Sequence, residues 1–213
     1  MRIKWWGHAC FAITAKNGKV ILTDPYPPSI GYQPITDSVD IVTVSHDHSD
    51  HNAVESLKGG PKIIKTAGRH LVEEFEITGI ESLHDDVGGS KRGKNLIFTL
   101  VVDGWKIVHL GDQGITLTPG QLEAIGRADI AMIPVGGTYT VDAVQGCQIA
   151  QQLNPKVILP MHYQTDVLTF EIAPVEEFSK LFGAEQVKTV DSAELQLDTL
   201  PAEQVVYVLQ YVK

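Results

Sequence analysis

The chain has 213 residues and carries 17 Lys+Arg against 26 Asp+Glu, a formal charge of −9 at pH 7. With 43% hydrophobic and 20% charged residues it has neither the composition of a disordered chain nor that of a coiled coil, and its length suits one domain, residues 1–213, with a full core. The acidic balance argues against a nucleic-acid or anionic-membrane partner, and no apolar run approaches the ~20 residues of a bilayer span.

Short β-rich runs come first, at Ile3–Trp6, Cys10–Thr14 and Val20–Thr23, spaced as an antiparallel meander. Pro25 to Pro34 is a proline-rich loop. Asp40–Val44 is apolar and β-branched, the pattern of a buried strand. A short helix is expected near Asn52–Leu57, a strand at Lys62–Thr66, a helix at Gly68–Phe75 and a β run ending at Leu83. Leu96–Val102 and Trp105–Leu110 flank Asp103-Gly104, a hairpin signal. Thr118-Pro119 opens a helix, with Thr as the cap and Pro in the first turn. Asp129–Pro134 and Lys156–Pro160 read as strands, Asp142–Leu153 and Pro174–Phe182 as helices. Gln186–Val190, Glu194–Leu197 and Val205–Tyr211 read as closing strands. Both halves run from hairpins into β-α units, which suggests two mixed sheets face to face with helices outside. The N-terminus lacks a signal-peptide pattern, and Cys10 and Cys147 have no C-x-x-C spacing. The expectation is a cytoplasmic protein with reduced thiols.

Histidine is the informative residue. Ser45-His46-Asp47-His48-Ser49-Asp50-His51 begins where the Asp40–Val44 strand ends, and ligand sites of open sheets lie at such ends. Three imidazoles and a carboxylate in six residues make a poor core and a good nitrogen/oxygen metal site. His84, Asp112 and His162 also each follow a β run, and they are read as further ligands.

His46-x-His48-x-Asp50-His51, the upstream Asp24-Pro25, Gly111-Asp112 and the late His162 resemble the metallo-β-lactamase fold superfamily. Trp6-Gly7-His8-Ala9 and Pro160-Met161-His162-Tyr163 are similar to the branch that holds L-ascorbate-6-phosphate lactonase and small metal-dependent hydrolases. The resemblance implies an αββα sandwich of two mixed sheets with two divalent metal ions in a cleft, zinc first, with Mn, Fe or Ni fitting the same donors. His46, His48 and His84 would hold the first ion. Asp50, His51 and His162 would hold the second, and Asp112 would bridge. Such a pair, roughly 3.5–4 Å apart, activates water near neutral pH and stabilises charge that develops on oxygen. Asp50 would also steer a proton.

Asp24 reads either as a hydrogen-bond partner that orients a ligand imidazole or as a turn-former before proline. His8, set with Asp50 as a candidate catalytic residue, either lines the cleft or packs structurally. His109 is read as a buried support beside the ligands, and His70 as a surface residue on a helix. Lys91, Arg92 and Lys94 lie in a glycine-rich loop that either binds an anionic substrate or is a solvated turn. Gly136–Thr140 is a candidate cleft wall. The expected activity is hydrolysis of a small ester, lactone or phosphodiester. A nuclease or cyclic-nucleotide phosphodiesterase, and a non-catalytic metal-binding scaffold subunit, stand as rivals. The expected partner is a small-molecule substrate, with a homo-oligomer left open.

Overall fold

A computed structural model describes residues 1–213. In chain order the strands are β1 (Arg2–Gly7), β2 (Cys10–Thr14), β3 (Val20–Thr23), β4 (Ile41–Thr43), β5 (Lys62–Ile64), β6 (Gly68–Val72), β7 (Phe75–Leu83), β8 (Lys94–Val102) and β9 (Trp105–His109). They continue with β10 (Ile130–Pro134), β11 (Val157–Met161), β12 (Val187–Val190), β13 (Glu194–Gln196) and β14 (Val205–Leu209). The helices are α1 (Pro119–Ile125), α2 (Ala143–Leu153) and α3 (Glu176–Ser179).

One sheet runs β13-β1-β2-β3-β4-β5, the other β12-β14-β11-β10-β9-β8-β7-β6. In each, an antiparallel meander passes into parallel pairs: β1-β2-β3 then β4 and β5, and β6 to β9 then β10, β11, β14 and β12. Alternation decides which face each side chain takes. Ile3, Trp5, Phe11, Ile13, Ile21 and Ile41 join the core shared with the second sheet. Trp6, Cys10, Ala12, Leu22 and Val42 point to the other side.

The helices α1 and α2 contact strands of the second sheet. The α2 helix starts on a reciprocal Asp142/Gln145 capping box and turns Ile149, Ala150 and Leu153 inward. Over the outer face of the first sheet the layer is mostly loop. Tyr26, Ile30, Tyr32, Ile35, Leu168 and Ile172 cover it, with a single 3-10 turn at Pro28–Ile30.

Three expected elements come out differently. Asn52–Leu57 is a 3-10 turn over Val54–Ser56, and the Pro174–Phe182 helix is regular only over Glu176–Ser179. Gly68–Phe75 is no helix: Gly68–Val72 is a strand, so His70 sits half-buried on a sheet edge. The hairpin turns at Glu73-Glu74, and Glu73 adopts φ 53° without the Asn or Gly that normally signals such a turn. Lys19 from the other sheet holds the Glu73 carboxylate at 3.4 Å. No helix is long and apolar enough to cross a membrane.

The topology also decides where the site lies. Strands β1, β3 and β4 run in one direction in the first sheet, and β7, β9, β10 and β11 run in one direction in the second. His8, Asp24, His46, His84, Asp112 and His162 therefore all leave strand ends toward a common rim.

Candidate metal centre

Three groups of potential donor atoms form at that rim: His46, His48 and His84; His8, Asp50, His51 and His162; and, behind them, Asp24 with His46 and His51, with donors within 4.8 Å of one another in each. The first two face the cleft. Asp112 lies between them. Its Oδ2 is 3.1 Å from His84 Nε2, 3.3 Å from His162 Nε2 and 4.0 Å from His46 Nε2, and its Oδ1 is 3.3 Å from His51 Nε2. His8, His51, His84, His162 and Asp112 are buried, while Asp50 is half-exposed and His48 open to solvent.

The hydrogen bonds around these rings fix their tautomers. Asp24, fully buried, accepts Ser45 N–H on Oδ1 at 2.8 Å, and on Oδ2 the Ser45 hydroxyl at 2.5 Å and His51 Nδ1–H at 2.9 Å. With its proton given to Asp24, the Ser45 oxygen is left to accept His46 Nδ1–H, at 2.8 Å. Both imidazoles therefore present a bare Nε2 to the rim, the usual role of a carboxylate behind a ligating histidine. His109 donates from Nε2 to Ala9 O at 2.8 Å and accepts Gly111 N–H on Nδ1 at 3.3 Å. Both its nitrogens are used, so it supports the Asp112 turn and ligates nothing. Asn95, also buried, accepts Asp112 N–H at 3.0 Å and so orients the same turn.

This donor set fits divalent cations. In the neutral tautomer that Asp24 selects, His51 Nε2 and Asp112 Oδ1 face each other as two acceptors at 3.3 Å, a pairing that needs either a cation or a second proton on His51, and Asp112 Oδ1 and His46 Nε2 are buried without a hydrogen-bond partner. Opposed buried acceptors are costly unless positive charge lies between them. The same demand appears in the proton equilibria. Burial alone would push His51 down, but the Asp112 and Asp24 carboxylates raise it well above its usual 6.5. Burial and the neighbouring imidazoles lower His46 and His8 to about 3, so both are neutral donors. Burial raises the Asp50 carboxyl, but the His8 hydrogen bond and the charge of His51 outweigh it and hold it below the carboxylate range.

His8 does not line the cleft. It is fully buried behind Asp50, with Nε2 3.2 Å from both Asp50 Oδ2 and His51 Nε2, and its ring lies 4.2 Å from that of His162. His8, Asp24 and His162 have φ of 53°, 38° and 51°, a left-handed backbone that non-glycine residues adopt uncommonly.

Above the donors opens a cleft of about 350 Å³, walled by Arg92, Tyr139 and Phe170. Of the three loop cations only Arg92 reaches it. Lys91 is exposed and does not line this cleft. Lys94 is paired with Glu81 at 3.6 Å and faces a neighbouring depression, which shares His48 and Arg92 with the cleft. Tyr139 belongs to the expected Gly136–Thr140 wall. Phe170 has no signal in the sequence, since a lone loop aromatic reads as packing. Asp85 was detectable: an Asp shortly before Gly88-Gly89 is a common organiser of a loop backbone.

Two facing mixed sheets, with a His/Asp donor cluster at one rim, define a metallo-β-lactamase-type protein. The sequence model described as "Beta-lactamase superfamily domain" matches residues 2–162, and the chain belongs to that family. A Thermoplasma acidophilum protein named UPF0173 metal-dependent hydrolase is 31% identical, over 86% of this chain and 91% of its own. One of the same name from Staphylothermus marinus is 32% identical over 84% and 90%. The crystal structure of a Thermotoga maritima protein, described as a candidate Zn-dependent hydrolase of the metallo-β-lactamase superfamily, is 40% identical. It matches with a TM-score of 0.84 over 99% of both chains.

Proposed function

We propose that residues 1–213 form one hydrolase domain that uses two divalent metal ions to open an ester, lactone or phosphodiester bond of a small anionic substrate. The observation that carries this reading is the convergence of four imidazole Nε2 atoms, of His46, His51, His84 and His162, on the buried Asp112 carboxylate at the floor of an open cleft. His46, His48 and His84 would hold one ion; Asp50, His51 and His162 the other; Asp112 both. Bound there, the ions supply Lewis acidity and a water activated near neutral pH. Imidazole and carboxylate donors suit zinc first, and also Mn, Fe or Ni.

The chain's own residues do the rest. Asp50 stays ionised and borders the cleft, so it can take a proton from the attacking water and return it to the leaving oxygen as the bond to the acyl carbon or phosphorus breaks. His8, donating to Asp50 from below, fixes the carboxylate's direction. Asp24 and Ser45 hold His51 and His46 in the ligating tautomer. Metal analysis together with a panel of esters, lactones and phosphodiesters tests the proposal. Turnover of one class that falls on chelation and returns with a divalent ion is the expected result. Metal binding with no turnover of any class would favour a scaffold subunit.

A further inference from the structure

We infer that Arg92 selects substrates with a carboxylate or phosphate group a few atoms from the scissile bond, and that Asp85 positions Arg92 for this. The inference rests on the hydrolase reading above.

Arg92 is half-buried in the cleft wall, with its guanidinium 5.1 Å from the centre of the Tyr139 ring. Tyr139 is itself held edge-to-face against Phe170 at 5.6 Å. Stacking on the ring leaves the N–H edges of the guanidinium free for bidentate recognition of an anion. No carboxylate comes within ion-pair distance of Arg92, whereas the neighbouring Lys94 pairs with Glu81 and Arg69 with Glu76. A partly desolvated cation without a counter-ion, in a chain of charge −9, is placed for a ligand's charge.

Its position is built, not incidental. The buried Asp85 carboxylate accepts four backbone N–H groups of the loop. One oxygen takes Val87 at 3.0 Å and Gly89 at 2.7 Å; the other takes Lys91 at 2.9 Å and Arg92 at 2.8 Å. Ligand His84 precedes Asp85 directly, and its N–H donates to Gly93 O at 3.1 Å. The loop therefore closes from the ligand to the arginine in one hydrogen-bonded ring. That ring sets the spacing between the donor cluster and the guanidinium. The Tyr139–Phe170 wall adds an apolar surface for the part of the substrate between its two polar ends.

The test uses metal-loaded protein and two nearly isosteric esters, 4-nitrophenyl hemisuccinate and 4-nitrophenyl butyrate. Arg92→Gln should lower the ratio of their kcat/KM values, charged over neutral, about tenfold or more, chiefly through KM for the charged ester. Arg92→Lys should restore part of the ratio, because lysine keeps the charge and loses the fork. Asp85→Asn should shift the ratio in the same direction with metal content per chain unchanged. An unmoved ratio in Arg92→Gln overturns the inference. So does an Asp85→Asn protein that loses metal and both activities equally, since the carboxylate would then serve His84. If the wild type cleaves neither ester, that result counts against the ester form of the hydrolase reading, and calorimetric binding of succinate decides the inference separately: wild type should bind about tenfold tighter than Arg92→Gln, and equal affinity overturns it.

Discussion

Asp24 and Ser45 are joined twice, Oδ1 to the Ser45 amide at 2.8 Å and Oδ2 to its hydroxyl at 2.5 Å, and the second bond decides which nitrogen of His46 carries a proton. A single carboxylate at the end of β3 thereby orients two imidazoles, since the same Oδ2 also takes the proton of His51 Nδ1.

Asp24→Asn should weaken metal binding roughly 10–100-fold with the fold retained. Asparagine tolerates the left-handed backbone of this position, φ 38°, so the change isolates the side chain. Its amide group would turn a donor toward other donors and free the His51 tautomer. Metal titration with circular dichroism as control checks this; unchanged affinity would leave Asp24 a turn-former.

About two divalent ions per chain are expected on reconstitution. His162→Ala should reduce this to about one, because His162 belongs to the group with Asp50 and His51 while His46, His48 and His84 remain intact. Elemental analysis after dialysis gives the count. A stoichiometry untouched by His162→Ala would contradict the ligand assignment.

Metal binding should release about one proton per chain near pH 7, attributable to His51. Its carboxylate neighbours raise its pKa well above 6.5, so without metal it is protonated at neutral pH and must lose that proton to ligate. Affinity should therefore fall as pH drops through that raised value. His46 and His8, lowered to about 3, are already neutral and release none. Calorimetry in buffers of different ionisation enthalpy measures the proton count; a value of zero would refute the assignment.

Gly111→Ala should destabilise the protein by about 1–3 kcal/mol and reduce metal content together. Gly111 has φ 54°, and a Cβ there would lie 2.4 Å from Asn95 Oδ1 and 2.5 Å from Ser45 Cβ. Both neighbours belong to the hydrogen bonds that hold Asp112 and His46. Thermal melts and elemental analysis on one preparation test the coupling; a destabilised variant with full metal content would separate the two.

Much of the site was legible because three imidazoles and a carboxylate within six residues, just after a β-branched strand, suit little besides a metal ion. Asp24, Asp112 and His162 could be read for a related reason, each standing just past a β run. The β6 hairpin was hidden because Leu71, Val72 and Phe75 fall at helical spacing among charges, and its turn uses Glu73 in place of glycine. Gly79 gave no help: its missing side chain admits the Thr66 carbonyl, which would lie 2.5 Å from a Cβ, an approach visible only once two strands are paired. Phe170 and the burial of His8 behind Asp50 depend on chain segments far apart in sequence, which local pattern does not encode.

The two proposed ligand groups draw on both sheets: His46, His48 and His51 follow a strand of the first, whereas His84, Asp112 and His162 follow strands of the second. Ions held there would clasp the two layers at one rim, as a buckle does. Elsewhere the layers meet through apolar packing, the buried His109–Ala9 hydrogen bond and exposed polar contacts such as Lys16 N–H on the Asp103 carboxylate. Stripping the metal should then loosen the sandwich from the catalytic end first, so that amides near the ends of β4 and β9 exchange with solvent ahead of those deeper between the sheets.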